Sequence, residues 1–319
     1  MNTYKWLLKR EFWEHKGGFF WTPAVVGAIM TLFLAVSMVI GITVKNKHGM
    51  QINGAQVTNL SSMVSAEDKA KIVNAISHGY IGTSAPLFMV MAFVVFFFSL
   101  GCLFDERKDR SVLFWKSLPV SDTETVLSKV AMALVGAPLL TFAFAMATSL
   151  AALLIILLGA AASGLNLFGG VLGSAAVYTA PFQLLAMLPV YLVWALPTVG
   201  WLMMVSSWAK TKVFLWAVGV PVLTGVLLAW FNAMFDFNWD IEWFWKNIVG
   251  RGLLSAVPGA WFGFVNPAGG MNHDGNLDFG FLLVHSWKTL ATANAWIGAA
   301  LGAAMIYVAT RLRRWKDEG

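Results

Sequence analysis

The sequence predicts an all-α polytopic membrane protein with six transmembrane helices, an N-terminal interfacial helix and a re-entrant external segment before the last span. Three observations predict it. Five stretches, residues 17–44, 72–104, 130–209, 213–235 and 289–310, contain no Asp, Glu, Lys or Arg, and each is long enough for the about 20 residues that a helix needs to cross a bilayer. The composition is 58% hydrophobic and only 12% charged, with 16 Trp and 24 Phe, a balance that a water-soluble core of this size does not require. The basic residues lie at the ends of apolar runs, as membrane topology requires, and not along one face as nucleic-acid binding would.

The elements follow in chain order as one transmembrane domain over residues 1–319. Residues 1–18 place Tyr4, Leu8 and Phe12 at helical spacing, with Lys5, Lys9 and Lys16 beside them and Trp6 and Trp13 at the border. This suits a helix lying at the headgroup level, the alternative being an ordinary basic flank to the first span. Spans are expected at about 19–44, 82–104, 130–157, 181–208, 213–233 and 290–310. The third and fourth share one uncharged stretch, and its cluster of Gly and Ser from Gly159 to Val177 marks the break. The first run is too long for the apolar core of a signal peptide and reads as a retained span.

External loops are expected at 45–81 and 234–289. The first becomes helical around Ser65–Ile76. The second combines Asp236, Asp240 and Glu242 with Trp239, Trp243, Trp245 and Trp261, and its apolar piece Ile248–Val265 is interrupted by Gly and Pro258. A re-entrant or interfacial hairpin fits that piece, and additional spans are the alternative. With these spans, fifteen of 22 Lys and Arg fall on the side that holds both termini. Both termini are therefore expected in the cytoplasm, in a plasma membrane of bacterial inner-membrane type. Prolines at 23, 86, 138, 181, 189, 197 and 221 are expected to kink helices and free carbonyls that neighbours must satisfy.

No ionisable acid or base falls inside the six expected spans. Proton- or sodium-coupled transport and voltage sensing place such groups at membrane depth at ~3 kcal/mol or more each, so energy coupling is expected from outside the bilayer. The five His residues show no metal-ligand spacing on one helix, and His273 beside Asp274 is the best of weak metal candidates. No nucleotide-binding loop, nucleophile elbow or dinucleotide fingerprint occurs in context, and the chain is not expected to be an enzyme. Cys102 stands alone, so no intrachain disulfide can form.

The informative stretch is the loop Asp105–Lys129, DERKDRSVLFWKSLPVSDTETVLSK. After a charged run through Arg110, the residues Val112, Leu113, Phe114, Trp115 and Leu118 offer an apolar face on a short helix that Pro119 ends. Ser121 and Glu124 then form the sequence pattern of a capping box opening the next helix. The helix reads either as an interfacial loop element or as a docking knob for a cytosolic domain.

This loop resembles the one between the second and third spans of type-2 ABC exporter permeases, in the order Glu106, Leu118, Pro119, Val120, Ser121 and Lys129. The residue match covers about 25 positions, and the layout match covers the whole chain. The resemblance implies a permease subunit whose loop 105–129 couples to a separate cytosolic ABC ATPase, present in two copies. Glu106, Arg110, Val112–Trp115, Leu118, Pro119, Ser121, Glu124 and Lys129 would form the coupling element. ATP and Mg would belong to the ATPase, and a second permease copy, identical or related, would complete the assembly in the lipid bilayer. It further implies a path along spans two and five, with Met89, Phe93, Phe96 and Phe97 facing Phe214, Val218 and Val222, for an apolar or amphipathic cargo moved outward. Packing or lipid contact is the plainer reading of those side chains. An uncoupled channel, a membrane-embedded enzyme and a non-transporting partner of an ATPase are the competing functions. Selectivity rings and a gathered acid, base and nucleophile are both missing from the sequence.

Overall fold

The computed structural model describes residues 3–48, 50–52, 55–57, 64–109, 120–265 and 279–316. Helices dominate, and six are long and apolar enough to cross a membrane: Gly17–Val44, Ala66–Lys108, Asp122–Ala162, Ala175–Trp208, Leu215–Phe235 and Ala293–Trp315. The chain begins with α1 (Thr3–Glu14) and continues into α2 (Thr22–His48). A small antiparallel hairpin, β1 (Met50–Ile52) with β2 (Ala55–Val57), follows with Gln51 opposite Gln56. It is an addition to the expected all-helical layout. Next come α3 (Ala66–Gly79), α4 (Ala85–Gly101), α5 (Phe104–Lys108), α6 (Asp122–Ala131) and α7 (Ala137–Ala162). The short α8 (Phe168–Leu172) and α9 (Ala175–Leu185) precede α10 (Leu188–Trp208) and α11 (Val220–Phe235). After α12 (Ile241–Phe244), α13 (Arg251–Leu254) and α14 (Trp261–Phe264) the chain closes with α15 (Phe279–Thr289) and α16 (Ala293–Lys316).

Three of the prolines do more than kink. Wide π-turns at Gly17–Trp21, Met132–Gly136 and Leu215–Gly219 each end two residues before one of Pro23, Pro138 and Pro221. In each case the residue just before the proline donates its N–H five residues back, from Thr22 to Gly17, Ala137 to Met132 and Val220 to Leu215. Proline cannot donate to the carbonyl four residues earlier, and the widened turn recovers one backbone bond that a bilayer would leave unmade. The Thr22 hydroxyl also donates to Gly17 O at 3.0 Å.

The expected fourth span at 181–208 is interrupted. The helix breaks at Ala186–Met187, and α10 restarts with Pro189 in its first turn, where a missing N–H costs no helical bond. Helix α9 instead joins α3 and α8 in a cap around Tyr80, Leu157, Leu167 and Val177. Tyr80 Oη donates to Val177 O at 2.7 Å inside it. The expected helix near Ser65 is α3, with Ser65 Oγ accepting from Asp68 N at 3.1 Å.

The main core joins α4, the start of α7, α10 and α16 around Val95, Ala133, Trp194, Val199 and Met203. Helices α10 and α16 form its most extensive interface. Gly200 there lies against the backbone of Gly302, and Gly302 lies against Leu196 and Pro197, so the two helices approach as closely as backbones can. The first and fifth candidate spans are different: only 6% of the most apolar window of each is buried, against 50% for the second.

Candidate functional site

The strongest concentration of chemistry sits where α1, α5, α6 and the last turns of α16 converge, at the end of the bundle that carries both termini. Helix α1 turns Leu7 and Glu11 inward; both are buried. Tyr4 is exposed, its hydroxyl donating to Leu127 O at 3.3 Å, and Lys5, Lys9, Trp6 and Trp13 are exposed as well. The inward face carries an acid because α6 presents Lys129 opposite it. Lys129 Nζ donates to both Glu11 carboxylate oxygens, at 3.0 and 2.9 Å, and lies 3.0 Å from Glu106 Oε1.

Glu106 on α5 is the hub. Its Oε1 also accepts from Arg10 at 2.9 Å, and its Oε2 accepts from Arg313 NH1 at 2.7 Å. Arg313 reaches on through Nε to Asp122 Oδ1 at 3.1 Å. Three carboxylates (Glu11, Glu106, Asp122) thus interleave with three cations (Arg10, Lys129, Arg313). Lys129 and Glu106 are only 1% and 5% exposed. Charges so far from water survive only when paired and hydrogen-bonded, and removing one partner costs far more than the pair contributes.

The network flanks both ends of the loop that the sequence singles out. Before the loop, Ser206 Oγ on α10 accepts from Leu103 N and Phe104 N at 3.2 and 3.0 Å. Arg107 NH2 donates to Ser206 O and Ala209 O, at 2.6 and 3.0 Å, which serves the last carbonyls of α10. After the loop, the capping box is formed: Glu124 N donates to Ser121 Oγ at 3.2 Å, and Ser121 N donates to Glu124 Oε2 at 3.0 Å. Arg110, Val112, Leu113, Phe114, Trp115, Leu118 and Pro119 lie outside the described residues. Of the expected coupling residues, the structure therefore brings Glu106 and Lys129 into one network and places Ser121 and Glu124 at the start of α6.

Arg10, Glu11, Asp122 and Arg313 are the partners that sequence reasoning misses. Glu11 carries a usable signal, since it is an acid four residues after the apolar Leu7 and so on the same face of the helix. Arg313 carries none, being one of four basic residues at the C-terminal end. Glu11, Glu14 and His15 have potential metal-binding atoms within 4.8 Å of one another. Lys129 neutralises Glu11, and Arg10 Nε lies 3.2 Å from Glu14, which argues against a cation there. The His273 metal candidate lies outside the described residues.

The expected path residues fall in different surroundings within one copy of the chain. Met89 lines a cavity with α7 and α10, whereas Phe93 and Phe97 line a groove beside Gly18 and Phe19. Phe96 and Val218 pack against one cluster formed by Leu100, Leu202 and Ala217. Phe214 is exposed and Val222 half-buried.

A second charged group enters the bundle from the segment after α11. Arg251 is 5% exposed, its guanidinium 4.8 Å from the centroid of the Trp194 ring, and its NH1 donates to Asn294 Oδ1. Its carbonyl accepts from Thr198 Oγ1 at 2.9 Å and Ser255 Oγ at 2.8 Å. Trp194 in turn stacks on Phe264 and donates to Thr289 Oγ1 at 3.0 Å. No ion pair to Arg251 occurs among the described residues, so the aromatic face and the amide hold this cation.

No protein-family model, no curated protein and no solved structure matches the chain.

Proposed function

We propose that this chain is the membrane permease subunit of an ATP-driven exporter of the type-2 ABC kind, with Val112–Pro119 docking into a separate cytosolic ATPase. The observation that carries the reading is the buried network at the two flanks of that loop. Glu106 precedes it and Lys129 follows it, and both are tied to α1 and α16 through Glu11, Arg10 and Arg313. A push on the loop would then be delivered to the first, second, third and last spans together, because charges this deeply buried resist separation. A loop serving only as a connection has no need of such an anchorage.

The assembly in this reading contains two permease copies and two ATPases, with ATP and Mg held by the ATPase. The sparse burial of the first and fifth spans supports a second copy, since those faces would complete their packing between protomers. Phe93, Phe97, Phe214 and Val222 would then line a path between copies. The helix α1 would lie at the inner headgroup level, and Ile248–Val265 would re-enter the bilayer from outside, anchored by Arg251 on Trp194. The test is co-purification with a cytosolic ATPase in a two-to-two complex, followed by ATP-dependent movement of lipids, peptides or drugs in proteoliposomes. A complex that hydrolyses ATP but moves none of them points to a regulatory partner, and a chain that binds no ATPase sinks the reading.

A further inference from the structure

A groove of about 570 Å³ runs along α4 beside the start of the first span, within the range of ~300–1,000 Å³ typical of small-ligand sites. One end is aromatic. Phe93 and Phe97 lie one turn apart on α4, are 60% and 57% exposed, and share the groove with Phe19 and Val94. The other end is acidic: Glu14, His15 and Asp105 line it, and among the described residues no Lys or Arg does. Glu14 already has Arg10 Nε at 3.2 Å, and His15 Nδ1 lies 3.3 Å from Glu11 O. Asp105 is the acid left over: among the described residues no ion pair or side-chain hydrogen bond holds its carboxylate. Asp109 and Lys108, which act on it, are of opposite sign. Gly101 decides where it points, since a Cβ there would meet Asp105 Oδ2 at 2.7 Å. The carboxylate therefore folds back over the last turn of α4, in line with Gly101, Phe97 and Phe93 at spacings of four residues.

We propose that this groove binds an organic cation with an apolar body, its charged centre beside Asp105 and its body on the rings of Phe93 and Phe97. The sign follows from the lining, which offers carboxylates and no Lys or Arg among the described residues. The chemical class follows from the rings, whose faces attract a weakly hydrated cation, quaternary ammonium above all. The size follows from α4. Phe93 and Gly101 are eight residues apart, roughly 12 Å at 1.5 Å per residue, and Asp105 lies one turn beyond. A neutral acyl chain would gain the rings but nothing from Asp105, and an anion would be repelled. Asp105 stands near the end of the second candidate span, so the charge stays close to water while the body lies against hydrocarbon. The cargo role that this gives Phe93 and Phe97 rests on the exporter reading above; the binding does not.

The test uses the full chain in nanodiscs of zwitterionic lipid, without an ATPase, and two photoreactive probes that share one diazirine-bearing alkyl chain. One ends in trimethylammonium and the other in sulfonate. The ammonium probe should crosslink saturably to peptides containing residues 17–22 and 93–101, and the sulfonate probe should not. Asp105→Asn should weaken capture of the ammonium probe about two- to fivefold, the size of an exposed ion pair. Asp109→Asn, outside the groove, should leave it unchanged. Phe97→Leu, which keeps an apolar side chain and removes the ring, should weaken it as well. Asp105 and Phe97 are both exposed, so folding tolerates these changes. Equal capture of the two probes, capture unchanged in Asp105→Asn, crosslinks confined to outward residues such as Val36, or no capture because a second copy of the chain covers the groove would each overturn the proposal. Saturable capture by a complex that hydrolyses ATP but moves no cation would leave the site standing and count against the exporter reading alone.

Discussion

Arg313 and Glu106 stand 207 positions apart, yet Arg313 NH1 donates to Glu106 Oε2 at 2.7 Å with both side chains nearly sealed from solvent. The last helix is thereby tied to the base of the loop after the second span. The same carboxylate also receives Arg10 and Lys129, so a single acid gathers three distant segments.

Lys129→Met should lower stability sharply, by ~3–5 kcal/mol, because Glu11 and Glu106 would remain buried without their shared cation. The thermal midpoint of the purified protein measures it. Combining Lys129→Met with Glu11→Leu should recover part of the loss, since the unpaired acid is then also removed. A lone Lys129→Met variant as stable as the parent would mean that water reaches the network.

Phe114→Ala or Trp115→Ala should release the ATPase or uncouple transport while leaving membrane insertion intact. Aromatic anchors in a pocket often carry ~2 kcal/mol or more each, and neutralising the exposed Lys108 should matter less, since rim charges mainly steer. Pull-down and transport rates are the readouts. Normal binding and normal transport by both aromatic variants would reduce the loop helix to an interfacial element.

Gly200→Ala should separate α10 from α16, because a Cβ there meets the backbone of Gly302. Backbone cannot rotate away as a side chain can, and overpacking of this kind costs ~1–3 kcal/mol. Gly219→Ala, whose Cβ would make an ordinary contact with Leu215, provides the control. Equal thermal midpoints for the two variants would rule out the close helix crossing.

Cysteines introduced at Lys47 and Lys246 should react with an impermeant thiol reagent in intact cells, and one at Lys116 should react only after lysis. The fifteen-to-seven division of basic residues motivates this. Labelling at Lys116 from outside would invert the topology and remove the proposed docking site from the cytoplasm.

The six membrane-length helices are legible in the sequence because hydrocarbon imposes length and apolarity on each span separately, without reference to any neighbour. The capping box at Ser121 and Glu124 is legible for the same reason, being a bond between residues three apart. Only the tertiary structure decided the rest. The partners of Glu106 come from α1, α6 and α16, and nothing local distinguishes Arg313 from Arg311 and Arg314, which are exposed on the same helix. The break at Ala186–Met187 is hidden within a continuous apolar run, since Pro181 and Pro189 are compatible with a kinked span as well as with two helices. Arg251 shows the same limit: its sequence neighbours make it one more loop cation, and the face of Trp194 that receives it belongs to another helix. Solvent preference is a property of each residue and can be read along the chain, whereas the pairing of buried charges depends on which helices meet.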